Sequence, residues 1–416
     1  MSRVEKLIAQ LAPNGVPVKM LGDIAELVRG SGMPKADLTD NGVGAIHYGQ
    51  IYTRYGAWAT DTISFVAPEA AARLVEVQPG DIIITNTSEN TEDVCKAVAW
   101  LGDEPIVTGG HATVIKHSQD PKYLSYWFQS QSFYAQKRTL ATGTKVMDVS
   151  AKQLMKVRIP VPPLEVQREI VKVLDRFTQL EAELEAELAI RVQQRLAFAS
   201  AHFGFVYSTA RQVDHPTRVR LGDVATQYIE PVRVEAEETY ENLGLRWYGS
   251  GVFARDSKRG SAIKAKTLYR VKSGLFIYNR MFVVEGSFGI VTPDLAQGVV
   301  SNEFPAYELD SNRVLGEWLL HYLLDEYTLK RVAAEVTGVE RGSMKSRRRW
   351  KEDQFEAFEI DLPSVDTQRE VVRVLGTFSE LESALREELA ERRKQYEYYR
   401  DKLLNFEELM VEQAAA

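Results

Sequence analysis

Gln167-Arg168-Glu169-Ile170-Val171-Lys172-Val173-Leu174 returns as Gln368-Arg369-Glu370-Val371-Val372-Arg373-Val374-Leu375, 201 residues further on. The match continues through Phe177/Phe378, Leu180/Leu381, Glu181/Glu382, Leu184/Leu385, Leu188/Leu389 and Arg191/Arg392, and reaches back to Gln153/Gln354 and Pro162/Pro363. From Val166 through Ile170, Val173, Phe177 and Leu180 to Leu184, apolar residues alternate at spacings of four and three, the a/d pattern of helices that pair lengthwise. The pattern predicts a long helix from about Glu165 to about Phe198 and a twin in the second copy. Ile170, Val173, Phe177, Leu180 and Leu184 would form one seam, and Val371, Val374, Phe378, Leu381 and Leu385 the other. A long period used only twice is a duplicated module, not a solenoid of many short repeats. Helices leaving two symmetry-related domains would pair antiparallel.

Outward from the helices the repeat loosens. Leu21-Gly22-Asp23-Ile24-Ala25 returns as Leu221-Gly222-Asp223-Val224-Ala225, and Ile46-His47-Tyr48-Gly49 is echoed by Arg246-Trp247-Tyr248-Gly249. The offset drifts in these parts and stays fixed in the helices, so the globular halves differ by insertions. Short β-like runs (Ile82–Thr85, Ala112–Ile115, Leu275–Tyr278, Gly289–Val291) sit between Gly, Asn, Asp and Pro, and helical spacing covers Tyr123–Lys137 and Leu315–Ala334. Each half ends in a stiff proline exit, Ile159-Pro160-Val161-Pro162-Pro163 and Ile360-Asp361-Leu362-Pro363-Ser364. The expected fold class is α+β: two pseudo-symmetric mixed α/β domains, residues 1–159 and 211–360, joined by two long helices, residues 160–210 and 361–416, in an antiparallel coiled coil.

The composition narrows the function. With 416 residues and 44% hydrophobic content, the chain has material for several cored domains. A single cysteine, Cys95, excludes an internal disulfide. With no basic-then-apolar opening and no apolar run of about 18 residues, no membrane association and a cytoplasmic location are expected. The net charge is −7, but residues 251–280 hold eight bases against one acid, and residues 338–351 six against one. Catalytic signatures are missing: no phosphate-binding G-x-x-x-x-G-K-[ST], no dinucleotide glycine fingerprint, no Asn-Pro-Pro-aromatic tetrapeptide, and no metal spacing among the six histidines. No catalytic residue and no metal site are expected.

These residues together resemble the specificity subunit of type I restriction–modification systems. The resemblance rests on Ile159-Pro160-Val161-Pro162-Pro163-Leu164-Glu165-Val166-Gln167-Arg168-Glu169-Ile170-Val171 and its second copy, on Tyr398-Tyr399-Arg400-Asp401-Lys402-Leu403-Leu404, and on the two Leu-Gly-Asp openings. Asp361 and Ser364 depart from the proline preferred there. The resemblance implies two target-recognition domains, each reading half of a split double-stranded DNA sequence, with the helices setting the gap. It implies that the helices dock two methyltransferase (modification) subunits, and through them two restriction subunits. The complex would use S-adenosylmethionine, ATP and Mg²⁺, while this subunit binds no cofactor and is itself non-catalytic. A different class of reading is a symmetric coiled-coil scaffold that binds no DNA, a silent or decayed allele; the basic clusters argue against it. A stand-alone nuclease or methyltransferase is disfavoured by the missing motifs.

Lys and Arg neutralise phosphates, Arg reads guanine, and Asn or Gln reads adenine. The candidates in the first domain are Tyr48, Gln50, Tyr52 and Arg54, then the polar run with Asn86, Ser88 and Asn90, and Lys145 beside Gly143-Thr144. In the second domain they are Tyr248, Arg255, Lys258, Arg259, Lys264 and Lys266, then Asn279 and Arg280, then Arg341, Lys345, Arg347 and Arg348. The acids on the outer faces of the helices (Glu181, Glu183, Glu185, Glu187, Glu387, Glu388, Glu391) are expected to help dock the methyltransferase subunits.

Overall fold

A computed structural model describes residues 2–203, 216–336 and 349–406. The chain divides into two units, Met1–Glu185 with Glu387–Ala416, and Ala186–Arg386. The first long helix is Leu164–Phe203 and the second Val365–Leu404. Each unit therefore combines one globular half with part of both helices.

In the first unit a five-stranded sheet runs in the order Ala25–Arg29, Ala112–His117, Ile82–Thr85, Ala97–Trp100, Trp58–Ala59. The first four strands are antiparallel, with Val114 opposite both Val28 and Ile83. Ile82–Thr85 is buried throughout. Ile82 and Ile84 face a core with Tyr123, Trp127 and Phe133, while Ile83 faces a second core with Ile46, Val98 and Trp100. A strand covered on both faces reads as a continuous apolar run, as this one does. The second unit repeats the order with Ala225–Tyr228, Ala306–Leu309, Phe276–Tyr278 and Phe288–Ile290. Phe276 and Tyr278 face its helices, and Ile277 faces the opposite core.

Both proline exits are strands. Arg158–Pro160 pairs antiparallel with Val18–Met20, and Glu359–Leu362 with Thr217–Arg220. The predicted helices Tyr123–Lys137 and Leu315–Ala334 are each broken in two, as Pro121–Trp127 with Gln131–Leu140 and Gly316–Leu324 with Glu326–Glu335. Ser130 and Asp325 cause the breaks. Each takes an extended backbone, and its side chain accepts N–H bonds from the following helix, a better use of these side chains than a helix interior.

The repeated glutamines lock the long helices to their domains. Gln167, fully buried, accepts the Asp120 N–H at 3.0 Å and donates to Pro162 O at 2.8 Å and Gln119 Oε1 at 2.9 Å. Gln368, equally buried, accepts the Leu315 N–H at 2.8 Å and donates to Pro363 O at 2.9 Å and Arg313 O at 2.8 Å. Removing either amide would leave buried backbone groups unpaired, each costing about 1–3 kcal/mol.

The seam differs in phase from the sequence expectation. Leu180 and Leu381 are 46% and 44% exposed, whereas Leu174 and Leu375 are buried. Ile170 and Val371 face their own domain cores. Those anchors set the rotation of each helix, and the 3.6-residue turn then carries the inward face from Leu174 through Phe177, Glu181 and Leu184. Arginines neutralise the inward glutamates. In the first unit Arg393 reaches Glu181 at 2.6 Å and Glu185 at 2.5 Å, and Phe177 stacks on Tyr399 with centroids 5.5 Å apart. In the second, Glu382, with its side chain 4% exposed, meets Arg195 at 2.7 Å and Arg386 at 3.1 Å, and Phe378 lies 6.2 Å from Phe198. Higher numbers on one segment meet lower numbers on the other, so the pairing is antiparallel within each unit.

Candidate nucleic-acid interface

In the second unit, Leu243–Leu245 and Val252–Ala254 form a hairpin that continues into Arg255. Lys258–Arg259 pairs with Thr239–Tyr240. Between them lies an open concavity whose lining includes Asn242, Phe253, Arg255, Lys258, Lys264 and Ser301. Of the eight bases in residues 251–280, four are neutralised locally: Arg259 by Glu237, Arg270 by Glu230, Lys272 by Glu308 and Arg280 by Glu352. Arg255, Lys258, Lys264 and Lys266 are exposed and have no acidic partner among the described residues. Arg255 and Arg246 flank the Phe253 ring at 5.8 Å and 4.9 Å. Four free cations beside an apolar floor suit a polyanion that also presents flat faces.

Two of the second-domain candidates are internal. Asn279 is buried and accepts the Met281 N–H at 3.0 Å, and Arg280 is tied to Glu352. Arg341, Lys345, Arg347 and Arg348 lie outside the described residues. Arg349, next in line, pairs with Glu303 at 3.0 Å.

Tyr248 sits at the hairpin tip, 77% exposed, with a positive φ of 55°. Its neighbour Trp247 is 48% exposed and packs against Phe282 at 5.8 Å. Neither Arg246 nor Trp247 was marked by charge or polarity as a contact. The sequence signals for the tip were the echo of Tyr48-Gly49 and the aromatics Trp247, Tyr248 and Phe253 interleaved with the basic stretch.

In the first unit the echo takes another form, the short helix Tyr48–Thr53. His47 caps it: its Nδ1 accepts the Gly49 N–H at 3.1 Å, and Gln50 accepts the His47 N–H at 3.1 Å. Gln50 also reaches Ser64 at 2.5 Å, so both ends of its amide are engaged. The Tyr52 hydroxyl donates to Thr87 O, and burial pushes its pKa up to about 12. Asn86 is fully buried; it donates to Val149 O at 2.8 Å and accepts from Thr113 at 2.9 Å. Asn90 is held by Asp93. These amides build the loops; Asn86 is buried, Gln50 half-buried and Asn90 exposed. Arg54 and Lys145 are exposed, Ser88 is half-buried, and Tyr48 stands half-buried between His47 and His111, at 4.4 Å and 4.9 Å. Burial, then Lys35 and His111, lower the pKa of His47.

Among the described residues, no group of three or more His, Cys, Asp or Glu is placed to hold a metal, and no helix is long and apolar enough to cross a membrane.

Residues 13–194 match the family described as the type I restriction modification DNA specificity domain. A type I restriction enzyme specificity subunit of Escherichia coli is 26% identical over 303 residues, covering 68% of this chain and 70% of that one. An HsdS subunit from Thermoanaerobacter tengcongensis superposes with a TM-score of 0.52 at 16% identity, covering 95% of this chain and 97% of that one. A chain solved in work on complex assembly and conformational transition of the type I restriction–modification system gives a TM-score of 0.59 at 16% identity, covering 94% and 98%. At such identities the structural likeness shows the fold.

Proposed function

We propose that this chain, whose residues 13–194 match the type I restriction modification DNA specificity domain, is a specificity subunit of such a system, and that its two units read the two halves of a split double-stranded DNA target. The observation that carries the reading is the cationic concavity of the second unit, where Arg255, Lys258 and Lys264 stand unpaired around an apolar floor. The two units share a strand order and differ in the loops set on it, as two readers of different half-sites would. The long helices would fix the gap and dock two methyltransferase subunits, with two restriction subunits joining through them. Ile190, Leu196, Leu381, Tyr398 and Leu180 are exposed apolar residues on the helices, and they suit that docking better than the acids do. S-adenosylmethionine would serve the methyltransferase subunits, and ATP with Mg²⁺ the restriction subunits; this chain would supply recognition only.

A gel shift of the full chain over a salt series tests the reading. Binding to duplex DNA should fall steeply with salt. Replacing Arg255, Lys258, Lys264 and Lys266 by Gln should flatten the log–log slope by up to roughly 0.9 per lost phosphate contact. A chain that binds no duplex at low salt, or whose slope is untouched by the four changes, sinks the proposal.

A further inference from the structure

Tyr248 is the one exposed side chain among the described residues that combines a large apolar ring with a left-handed backbone, φ 55°. Non-glycine residues in that region are strained and persist only where their surroundings enforce it. Here they do. The Tyr248 N–H donates to Glu285 O at 2.9 Å and the Gly249 N–H to Gly286 O at 2.8 Å, clamping the tip from outside the hairpin. Glycines permit the clamp: a Cβ on Gly249 would lie 2.2 Å from Leu324, and one on Gly286 would lie 3.3 Å from the Tyr248 Cα. The outcome is a rigid tip that holds a phenol ring in water, against the usual tendency of such rings to be covered. Trp247 stands beside it, backed by Phe282, and Val284 is exposed as well.

The same hairpin says what the ring meets. From the tip, the three-residue strand Val252–Ala254 leads to the free guanidinium of Arg255, a path of roughly 10 Å. That span is comparable to the width of a DNA groove, about 6 Å for the minor and 12 Å for the major. A cation over a phosphate and a ring at a base step therefore fit on one hairpin. We infer that Tyr248, supported by Trp247, is a wedge that enters a base step of the duplex and partly unstacks it, kinking the DNA where the second unit reads it. The inference rests on the proposed DNA reading and adds a mode of contact that the cationic wall alone would not produce. No hydrogen bond to a base edge is required, so the wedge selects easily unstacked steps, pyrimidine–purine steps above all.

The test uses the full chain and a duplex that the wild type enriches from a random-sequence pool, labelled at both ends for energy transfer. The informative variant is Tyr248→Gly, because glycine accepts the positive φ and the fold keeps its tip; Tyr248→Phe keeps the ring. Tyr248→Gly should bind the enriched duplex about tenfold more weakly, in the range of one lost stacking contact. It should keep the salt slope and bring the end-to-end distance back to that of free DNA, while Tyr248→Phe behaves as wild type. If Tyr248→Gly binds within twofold and bends the duplex as wild type does, the wedge is wrong and the cationic reading stands. If the wild type enriches no duplex, the DNA reading itself fails and takes the wedge with it.

Discussion

His117 shows how one side chain reaches a whole helix. Its Nδ1 accepts the Gln119 N–H at 3.2 Å, and the Gln119 side chain accepts in turn from Gln167, the amide that anchors the first long helix. Its Nε2 is buried with no partner among the described residues. Burial lowers its pKa from 6.5 to about 4, the Gln119 bond and Asp120 opposing this only in part. The unfolded chain therefore takes up the proton first, so this contribution to stability is complete above pH 6.5 and is lost as pH falls toward 4. Denaturant melts at several pH values should show the loss in the wild type, and a shallower one in His117→Asn. Equal pH slopes in both would assign the acid sensitivity elsewhere. The glutamines belong to the same scale. Gln167 and Gln368 were visible as repeated letters, but nothing in the sequence told that they were buried clamps. That property depends on Asp120 and Leu315 arriving from far along the chain.

Among elements, the strands with continuous apolar runs and the two long helices were legible, because periodicity survives without tertiary information. The seam phase was not. Leu180 and Leu381 fit the a/d template as letters, yet the domain anchors rotate them outward and bring Glu181 and Glu382 inward. A template that scores leucine above glutamate cannot foresee an arginine opposite. The consequence is measurable: Leu174→Ala should lose roughly 2–5 kcal/mol of stability, and Leu180→Ala no more than about 0.5 kcal/mol. Similar losses at the two positions would restore the original phase. The candidate site divides the same way. Free lysines on the second unit were legible from charge density, whereas the engagement of Asn86, Asn90 and Gln50 within their own loops was not, because turn-building amides and base-reading amides look alike in one dimension.

For the molecule as a whole, the units divide the helices at Glu185 and Arg386, positions again 201 residues apart. Seven residues inserted at both points would keep each seam in phase and lengthen each helix by roughly 10 Å, about three base pairs. The mapped target should then widen its gap by about that amount with both half-sites unchanged; altered half-site bases would contradict the assignment of spacing to the helices. The same partition has a consequence in time. Phe177 of the first unit finds its stacking partner at Tyr399, and Gln129 waits for Tyr396. A ribosome adding about 5–20 residues per second needs roughly 10–45 s to travel from one to the other. Throughout that interval the first unit is exposed with an unfinished aromatic face, which closes only after the second unit has been made.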